Sequence, residues 1–202
     1  MENAEEIKQW RRRERERLIA ARLAVPVALR REWSSVIERA LAALLPTLPG
    51  RILGLYWPHR AEFDPRPIAA PLIARGWRCA LPAVTDRSAP LAYRPWQPDT
   101  AMENGAYDIP VPATRATLRP HIVLAPLVGF DAAKYRLGYG GGYFDRTLAA
   151  LVPRPLAIGV GFELGRLPSV FPRPHDIPMD LIVTEAQSGD ASLEAPGPMP
   201  RR

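Results

Sequence analysis

Short apolar runs alternate with helical patterns along most of the chain. Six runs predict buried strands, at residues 51–57, 77–84, 91–96, 122–128, 156–162 and 181–184. Helical patterns lie at residues 65–75 and 142–151, whereas residues 97–119 are broken by proline and are predicted to be mostly irregular. Strands separated by helices predict a single three-layer α/β domain, with a largely parallel central sheet flanked by helices.

Two helical patterns precede the first predicted strand, and they differ in composition. Between residues 29 and 45, apolar residues recur at three- and four-residue spacing, which predicts an amphipathic helix with a core-facing stripe. Residues 4–24 are rich in arginine, and the apolar members Trp10, Leu18 and Leu23 are too few for such a stripe. The sequence therefore predicts one core helix and one basic helix at the start of the chain.

The predicted domain occupies residues 1–186. The remaining residues, 187–202, are small, polar and rich in proline, which predicts a disordered tail. Proline accounts for 24 of the 202 residues. Because proline ends helices and avoids central strands, we expect many short elements and long connections.

Charge and cysteine content narrow the classes of function. A net charge of +6 and a pI of about 10.0 favour an anionic partner, such as nucleic acid, a membrane surface or a phosphorylated small molecule. Cys79 is the single cysteine, so an intrachain disulfide and a cysteine-based zinc site are excluded, and its apolar surroundings predict a buried thiol. No apolar stretch approaches the ~18 residues of a membrane span, and no signal-peptide core is visible. We therefore expect a soluble cytoplasmic protein with no membrane partner.

The segment with the most chemical content is FDAAKYRLGYGGGYFDR, residues 130–146. It follows a predicted buried strand and leads into a helix, and ligands of open α/β sheets bind at the carboxyl ends of strands. Its four glycines can turn backbone N–H groups toward an anion, beside the positive end of the helix dipole. Arg136 has forked donors for phosphate oxygens, and Asp145 is a hard oxygen ligand suited to Mg²⁺. These features predict a phosphate-binding loop with a metal carboxylate; the alternative is a glycine-rich turn with a helix-capping aspartate.

The glycines follow neither the Walker A pattern nor GxGxxG. RLGYGGGYFDR instead resembles RLGxGxGYYDR, the signature of the 5-formyltetrahydrofolate cyclo-ligase family. The pair Phe130-Asp131 after APLVG supports the resemblance, as does HDIPMDLIVTE at residues 175–185, which is similar to that family's HDxxxDxIVTE. Together with the basic N-terminal helix, the similarity covers nearly the whole chain to about residue 186.

In that family the glycine loop binds ATP, so the resemblance implies an ATP site here. The implied ATP-binding residues are Arg11, Arg15, Arg136, Leu137, Gly138, Tyr139, Gly140, Gly141, Gly142, Tyr143 and Phe144. Arg136 and Tyr143 are the implied catalytic residues. The family's basic pair, four residues apart on one helix face, is assigned to Arg11 and Arg15. Lys8 and Arg12 have the same spacing and leave the register open, and a solvated basic face is the alternative.

The resemblance also implies a folate site and a magnesium ion. The implied folate contacts are Trp57, Glu62, Tyr139, Gly140, Gly141, Gly142 and Tyr143. Glu62 would accept hydrogen bonds from ring N–H groups, and Trp57 could pack on the planar rings. Asp145 and Asp176 are the implied ligands of Mg²⁺. A solvated loop acid is the alternative for Glu62, and a turn residue is the alternative for Asp176.

The implied reaction is the ATP-dependent cyclisation of 5-formyltetrahydrofolate to 5,10-methenyltetrahydrofolate. It releases ADP and phosphate and passes through a phosphorylated formyl group, an imidate phosphate. We expect no nucleic-acid partner, because no nucleic-acid-binding motif is visible. We also expect a monomer. The basic charge would also suit a polyglutamated folate.

Two alternatives from other classes remain: a non-catalytic nucleotide-binding regulatory relative, and a basic nucleic-acid-binding protein. Two departures from the family pattern keep the regulatory alternative open. Phe144 stands where the family has a second tyrosine, and Lys134 stands where it often has glycine or a small residue. Lys134 would either add charge near phosphate or point to solvent.

Overall fold

The computed structural model describes residues 3–187, and its helices follow the order that the sequence predicts. They are α1 (Ala4–Ala24), α2 (Val27–Leu44), α3 (Ala69–Ala74) and α4 (Tyr143–Ala150). Asn3 caps α1, since its side chain accepts hydrogen bonds from the backbone N–H groups of Glu5 and Glu6. The predicted tail, apart from residue 187, lies outside the described residues.

Six strands form the central sheet: β1 (Ile52–Gly54), β2 (Arg78–Ala83), β3 (Ala92–Trp96), β6 (Ile122–Pro126), β9 (Leu156–Val160) and β10 (Leu181–Val183). Their order is β10-β9-β6-β1-β2-β3, and all neighbours are parallel except β2 and β3. The predicted α/β class and the largely parallel sheet are confirmed. Each strand is shorter than the apolar run that predicted it.

Two small antiparallel ribbons accompany the central sheet. One pairs β4 (Met102–Asn104) with β5 (Pro110–Pro112), and it lies in the segment that was predicted to be mostly irregular. The other pairs β7 (Gly129–Phe130) with β8 (Arg136–Leu137). The second ribbon carries the glycine-rich segment away from the carboxyl end of β6.

The sheet has a topological switch point between β1 and β6. The chain moves from β1 to β2 on one side, whereas β6 lies on the other side of β1 and pairs with β9. In open α/β sheets the ligand-binding crevice lies outside the carboxyl ends of the strands at such a point. The loops that leave β1 and β6 are therefore the ones expected to form a site.

Helices cover both faces of the sheet, so the predicted three layers are present. Strand residues alternate between the faces, as the two-residue period of a strand requires. Under α2 and α3 the sheet contributes large apolar side chains, among them Leu53, Leu55, Leu81, Ile122, Leu124, Ile158 and Val160. Under α4 it contributes smaller ones, among them Ala80, Val123, Ala125 and Ala157. Cys79 belongs to the core beneath α2 and α3, and burial raises the pKa of its thiol to about 12.

α1 packs against the loops at the switch point, where Leu18 contacts residues that follow β6. Its buried residues are Arg11, Leu18 and Arg22, and Arg15 is half-buried between them. These four positions follow a spacing of i, i+4, i+7 and i+11, which places them on one face of the helix. The inner face of α1 is therefore a stripe of arginines interrupted by one leucine. No helix within residues 3–187 has both the length and the apolar character to cross a membrane.

Candidate active site

The glycine loop follows the β7–β8 hairpin. Asp131 fixes the turn of this hairpin, because its two carboxylate oxygens accept hydrogen bonds from the backbone N–H groups of Tyr135 and Val170. The loop itself leads directly into α4. Gly140 and Gly142 have φ values of 96° and 65°, which residues with a Cβ atom disfavour. The shape of the loop therefore depends on glycine at these two positions.

Arg136 and Asp145 form a buried ion pair at the base of the loop. Nη2 of Arg136 donates to Oδ2 of Asp145 over 2.9 Å, and Oδ1 accepts a hydrogen bond from the backbone N–H of Ile177. Both carboxylate oxygens thus bind groups outside α4. The alternative of a helix-capping aspartate is therefore wrong.

Two arginines of α1 reach the same region from the other side. Nη1 of Arg11 donates to Oδ2 of Asp176 over 2.8 Å. Nε of Arg15 donates to the carbonyl oxygen of Gly138 over 2.7 Å. Arg11 thus binds Asp176, the second predicted metal ligand, and Arg15 binds the backbone of the glycine loop.

The competing register of the basic pair lies away from the loop. The side chain of Arg12 is 79% exposed, and both Lys8 and Arg12 pair with glutamates of α1 itself. The structure therefore brings Arg11 and Arg15 to the glycine loop and leaves Lys8 and Arg12 in solvent.

The three arginines leave positive charge and hydrogen-bond donors at the loop. Within residues 3–187, no protein group accepts a hydrogen bond from the buried Nε of Arg11 or of Arg136. Burial, followed by the nearby charges of Arg11 and Arg173, lowers the pKa of Arg15, and burial lowers the pKa of Arg136. Since buried donors without an acceptor are costly, the arrangement fits an anionic ligand with several oxygen acceptors.

Asp145 and Asp176 lie near each other, since Ile177, which donates to Asp145, directly follows Asp176. For Asp176, burial opposes ionisation, but hydrogen bonds from the backbone of Arg173 and the side chain of Arg11 hold its pKa below the usual range. No cluster of three or more His, Cys, Asp and Glu side chains in the described part of the chain could hold a metal ion. Two carboxylates suit Mg²⁺ when ligand oxygens and water complete its coordination.

A second cluster surrounds Glu62, in the chain that leaves β1. Its side chain is 3% exposed, so the alternative of a solvated loop acid is wrong. Oε2 accepts a hydrogen bond from the backbone N–H of His59, and Oε1 accepts one from the hydroxyl of Tyr139, each over 2.8 Å. Burial raises the pKa of Glu62, and the charge of Arg22 opposes that rise. Because Tyr139 belongs to the glycine loop, this cluster and the arginine-rich region form one continuous site.

Three predicted contact residues face the protein more than the cleft. Trp57 packs against the main core, and the guanidinium of Arg66 lies 3.9 Å from the centre of its ring. Leu137 is fully buried, so only its backbone is available to a ligand. Phe144 packs beneath the loop, with the guanidinium of Arg136 lying 5.3 Å from its ring centre. Leu137 and Phe144 therefore support the loop from below.

Tyr143 lies at the rim of the site. Its hydroxyl is 2.9 Å from the hydroxyl of Tyr107, and the guanidinium of Arg146 lies 4.9 Å from its ring centre. The hydrogen bond with Tyr107 raises the pKa of Tyr143, so its hydroxyl keeps its proton at neutral pH. Tyr107, with a φ of 60°, lies between β4 and β5, and its proline-broken surroundings did not mark it as a site residue.

Lys134 is exposed, which agrees with the second of the two positions considered for it, and its ammonium is also hydrogen-bonded. Its Nζ donates to the carbonyl oxygen of Asp180 over 2.8 Å, and its own carbonyl oxygen accepts a hydrogen bond from the backbone N–H of Met179. It therefore anchors the β7–β8 hairpin beside the start of β10.

Arg22, like Tyr107, is a site residue that the sequence did not predict. Nη2 of Arg22 donates to the hydroxyl of Tyr139 over 2.7 Å and lies 3.8 Å from Oε1 of Glu62. Its place on the stripe with Arg11 and Arg15 was the available signal, because all three fall on one helix face. Basic residues all around the helix hid that periodicity.

Comparison with known proteins supports the resemblance over almost the whole chain. The family model for the 5-formyltetrahydrofolate cyclo-ligase family matches residues 7–185. A 5-formyltetrahydrofolate cyclo-ligase from Mycolicibacterium smegmatis is 29% identical over 177 residues, which cover 83% of this chain and 89% of that relative.

Solved structures agree with the sequence comparison. The NMR structure of 5,10-methenyltetrahydrofolate synthetase from Aquifex aeolicus superposes with a TM-score of 0.75 and 26% identity, covering 93% of this chain and 97% of that one. The synthetase from Mycoplasma pneumoniae has a TM-score of 0.72, and at 23% identity, with 87% of this chain and 98% of that one covered, it supports the fold alone. The chain belongs to the 5-formyltetrahydrofolate cyclo-ligase family.

Proposed function

We propose that the protein is a 5-formyltetrahydrofolate cyclo-ligase, which uses ATP to convert 5-formyltetrahydrofolate to 5,10-methenyltetrahydrofolate. The observation that carries the proposal is the continuity of the site. Tyr139 of the glycine loop is hydrogen-bonded to Glu62, while the carbonyl of the adjacent Gly138 accepts a hydrogen bond from Arg15. A two-substrate reaction needs adjacent subsites of this kind, because the reacting atoms must meet.

The arginine-rich side of the loop would bind the phosphates of ATP. Arg11, Arg15 and Arg136 carry fixed charge, and two of them have a buried Nε without a protein acceptor in residues 3–187. The backbone N–H groups of the glycines and the start of α4 would add further donors. Leu137 and Phe144 would contribute through their backbone, since their side chains pack inward.

Mg²⁺ would be held by Asp145 and Asp176, together with phosphate oxygens and water. Magnesium supplies positive charge to the triphosphate. Both carboxylates now pair with arginines, Asp145 with Arg136 and Asp176 with Arg11. We propose that these arginines exchange their carboxylate partners for phosphate oxygens when the nucleotide binds, which frees the carboxylates for the metal.

The Glu62 side of the loop would bind the folate. A buried carboxylate opposite ring N–H groups gives a charge-assisted match, and the same match is lost if Glu62 takes up a proton. Trp57 would contact the ring system from the same loop, and Tyr143 would close the rim. The hydroxyl of Tyr143 would act as a hydrogen-bond donor, because it keeps its proton at neutral pH.

The chemistry needs an activated oxygen, because the oxygen of an amide is a poor leaving group. The formyl oxygen would attack the γ-phosphate and form an imidate phosphate, ADP would depart, and N10 of the folate would then displace phosphate. The attacking atoms belong to the substrates, so the residues position them and neutralise charge. Arg136 would stabilise the charge that develops on the transferred phosphoryl group.

The test is the absorbance of methenyl-folate in a mixture of protein, 5-formyltetrahydrofolate, ATP and Mg²⁺. We expect a rise that requires all three additions and that Asp145→Ala abolishes. Arg17→Met, an exposed substitution on α1, is the matched control and should keep the wild-type rate. ATP binding by calorimetry without any product would contradict the enzyme assignment and favour a regulatory relative.

Three finer predictions concern the folate substrate, the oligomeric state and the absence of a nucleic-acid partner. A polyglutamated folate should bind more tightly than the monoglutamate, and equal affinities would reject that preference. A monomeric mass in solution would support the predicted monomer. If the protein does not bind polynucleotides even at low salt, where electrostatic binding is strongest, the predicted absence of a nucleic-acid partner is supported.

A further inference from the structure

Arg22 differs from the exposed basic residues of α1, because loops of the proposed active site enclose its guanidinium. Its side chain is 5% exposed. Nε donates to the carbonyl oxygen of Arg60 over 3.0 Å, Nη1 donates to that of Leu127 over 3.1 Å, and Nη2 donates to the hydroxyl of Tyr139 over 2.7 Å. These acceptors lie after β1, after β6 and on the glycine loop. Arg22 thus joins the three segments that meet at the switch point.

The turn that precedes Glu62 has an unusual backbone. Arg60 and Ala61 have φ values of 48° and 60°, and residues with a Cβ atom adopt this region infrequently. Hydrogen bonds in both directions between His59 and Glu62 close the turn. Arg22 binds the carbonyl oxygen of Arg60 in the middle of it, and so supports the strained turn that presents Glu62.

Arg22 also determines which way the hydroxyl of Tyr139 points. A guanidinium can only donate hydrogen bonds, so the oxygen of Tyr139 must act as the acceptor. The hydroxyl hydrogen is then directed to Oε1 of Glu62 over 2.8 Å. One guanidinium therefore orients both the turn and the phenol that contact the carboxylate.

We propose that Arg22 is a positioning residue of the folate subsite, which holds Glu62 and Tyr139 in the arrangement that binds the substrate ring without touching the substrate itself. The inference rests on the proposed role of Glu62. Lysine cannot replace Arg22 at this position, because its ammonium is a point charge that cannot reach three acceptors in a planar fork.

The first test compares Arg22→Lys and Arg22→Met with Arg17→Met. Arg17 lies on the same helix with its side chain 58% exposed, so its substitution controls for loss of charge from α1. We expect the KM for 5-formyltetrahydrofolate to rise about 10- to 100-fold in both Arg22 variants, as the loss of one or two charge-assisted hydrogen bonds predicts. The KM for ATP should stay within about twofold of wild type. Equal increases in both KM values would overturn the assignment to the folate subsite.

A pH profile separates positioning from general structural support. The titratable and charged groups around Glu62 come from three segments. They are Arg22 of α1, Tyr139 of the glycine loop, and Tyr56 and His59 of the segment that contains Glu62 itself. Since the charge of Arg22 favours the ionised carboxylate, kcat/KM for folate should begin to fall at a higher pH in Arg22→Met than in wild type. Arg22→Lys keeps the charge and should shift the profile less. Coincident profiles of Arg22→Met and wild type would contradict the proposal.

A double-mutant cycle covers the case in which Arg22→Met folds poorly. Tyr139→Phe removes the hydroxyl that links Arg22 to Glu62, so its effect on folate binding should be much smaller in an Arg22→Lys background than in wild type. Additive effects would show that Arg22 does not act through Tyr139.

Failure of this inference is distinguishable from failure of the proposed function. Product formation by wild type tests the function, whereas folate affinity of the Arg22 variants, measured by calorimetry without turnover, tests the positioning role. A wild type that turns over while Arg22→Lys binds folate normally would overturn only the inference.

Discussion

α1 and α2 are consecutive helices, yet their inner faces carry opposite chemistry. The buried face of α2 consists of Ile37, Leu41 and Leu44, and it packs on the side chains of the central sheet. The inner face of α1 presents arginines to the loops at the switch point, around the buried Leu18 and with Trp10 and Ile19 packed beside it. One helix therefore stabilises the domain, and the other completes the site.

The difference has an energetic basis. Apolar side chains gain free energy from burial wherever they pack, so α2 needs only a complementary apolar surface. A buried arginine is stable only where acceptors and counter-charges are fixed around it. Arg11 forms an ion pair with Asp176, and Arg22 donates hydrogen bonds to the carbonyl oxygen of Leu127 and the hydroxyl of Tyr139. The docking of α1 thus depends on the loops that form the site, and those loops depend on α1.

The largest expected effect is a loss of activity when an arginine on the inner face of α1 is replaced. Arg15→Met should lower kcat/KM for ATP by about 100- to 1,000-fold, because it removes a cation from the proposed phosphate site. The change in the free energy of unfolding should stay below about 1 kcal/mol, since the side chain of Arg15 makes a single hydrogen bond within residues 3–187 and is only half-buried. Steady-state kinetics and denaturant titration would check the two values. An equal kinetic loss in Arg12→Met would favour the other register of the basic pair.

The converse change in α2 should affect stability alone. Leu41→Ala removes a fully buried side chain and should lower the free energy of unfolding by about 2–5 kcal/mol. KM values of the folded fraction should match wild type, because the substitution lies in the core beneath α2. Denaturant titration gives the first quantity, and kinetics below the unfolding transition give the second. A folate KM that rose with the instability would mean that the two helices are not separable.

A smaller effect is expected from pH, and it follows from the buried Glu62. Because burial raises its pKa, the carboxylate takes up a proton at a higher pH than an exposed glutamate would. Activity with subsaturating folate should therefore fall as the pH is lowered through that raised value, and Glu62→Gln should lack this limb. The free energy of unfolding should change in the opposite direction: the contribution of Glu62 should increase as the pH is lowered through the raised pKa, because the folded state binds the proton more tightly than the unfolded state. A rate profile shared by wild type and Glu62→Gln would assign the acid limb to another group.

The smallest effect is the labelling of Cys79, which lies in the core cluster that α2 and α3 cover together. Burial raises the pKa of its thiol to about 12, so a thiol reagent at neutral pH should react only when the protein opens. Leu41→Ala should accelerate labelling, whereas Arg15→Met should not. Mass spectrometry of the alkylated protein would follow the reaction. Similar labelling rates in the two variants would show that α1 also covers the core.

The elements that the sequence predicts are those whose apolar pattern is local. The six apolar runs became the six sheet strands, and the stripe between residues 29 and 45 became α2. The glycine-rich segment was recognisable because the backbone itself needs glycine at Gly140 and Gly142. Periodicity could not separate Arg22 from its neighbours, since every face of α1 carries charge.

The sequence by itself determined the α/β class, the position of the glycine loop and the family. Each of these is written in residues that are adjacent or regularly spaced, so each is visible without coordinates. Only the tertiary structure decided that Arg11 reaches Asp176 and Arg15 reaches the glycine loop. It also decided that Glu62 is buried and that Arg22 lies against both Glu62 and Tyr139. Those contacts bring together segments from the first helix, the loop after β1 and the loop after β6. Their chemistry is set by which acceptors surround a charge in the folded state, and that is a property of three-dimensional packing.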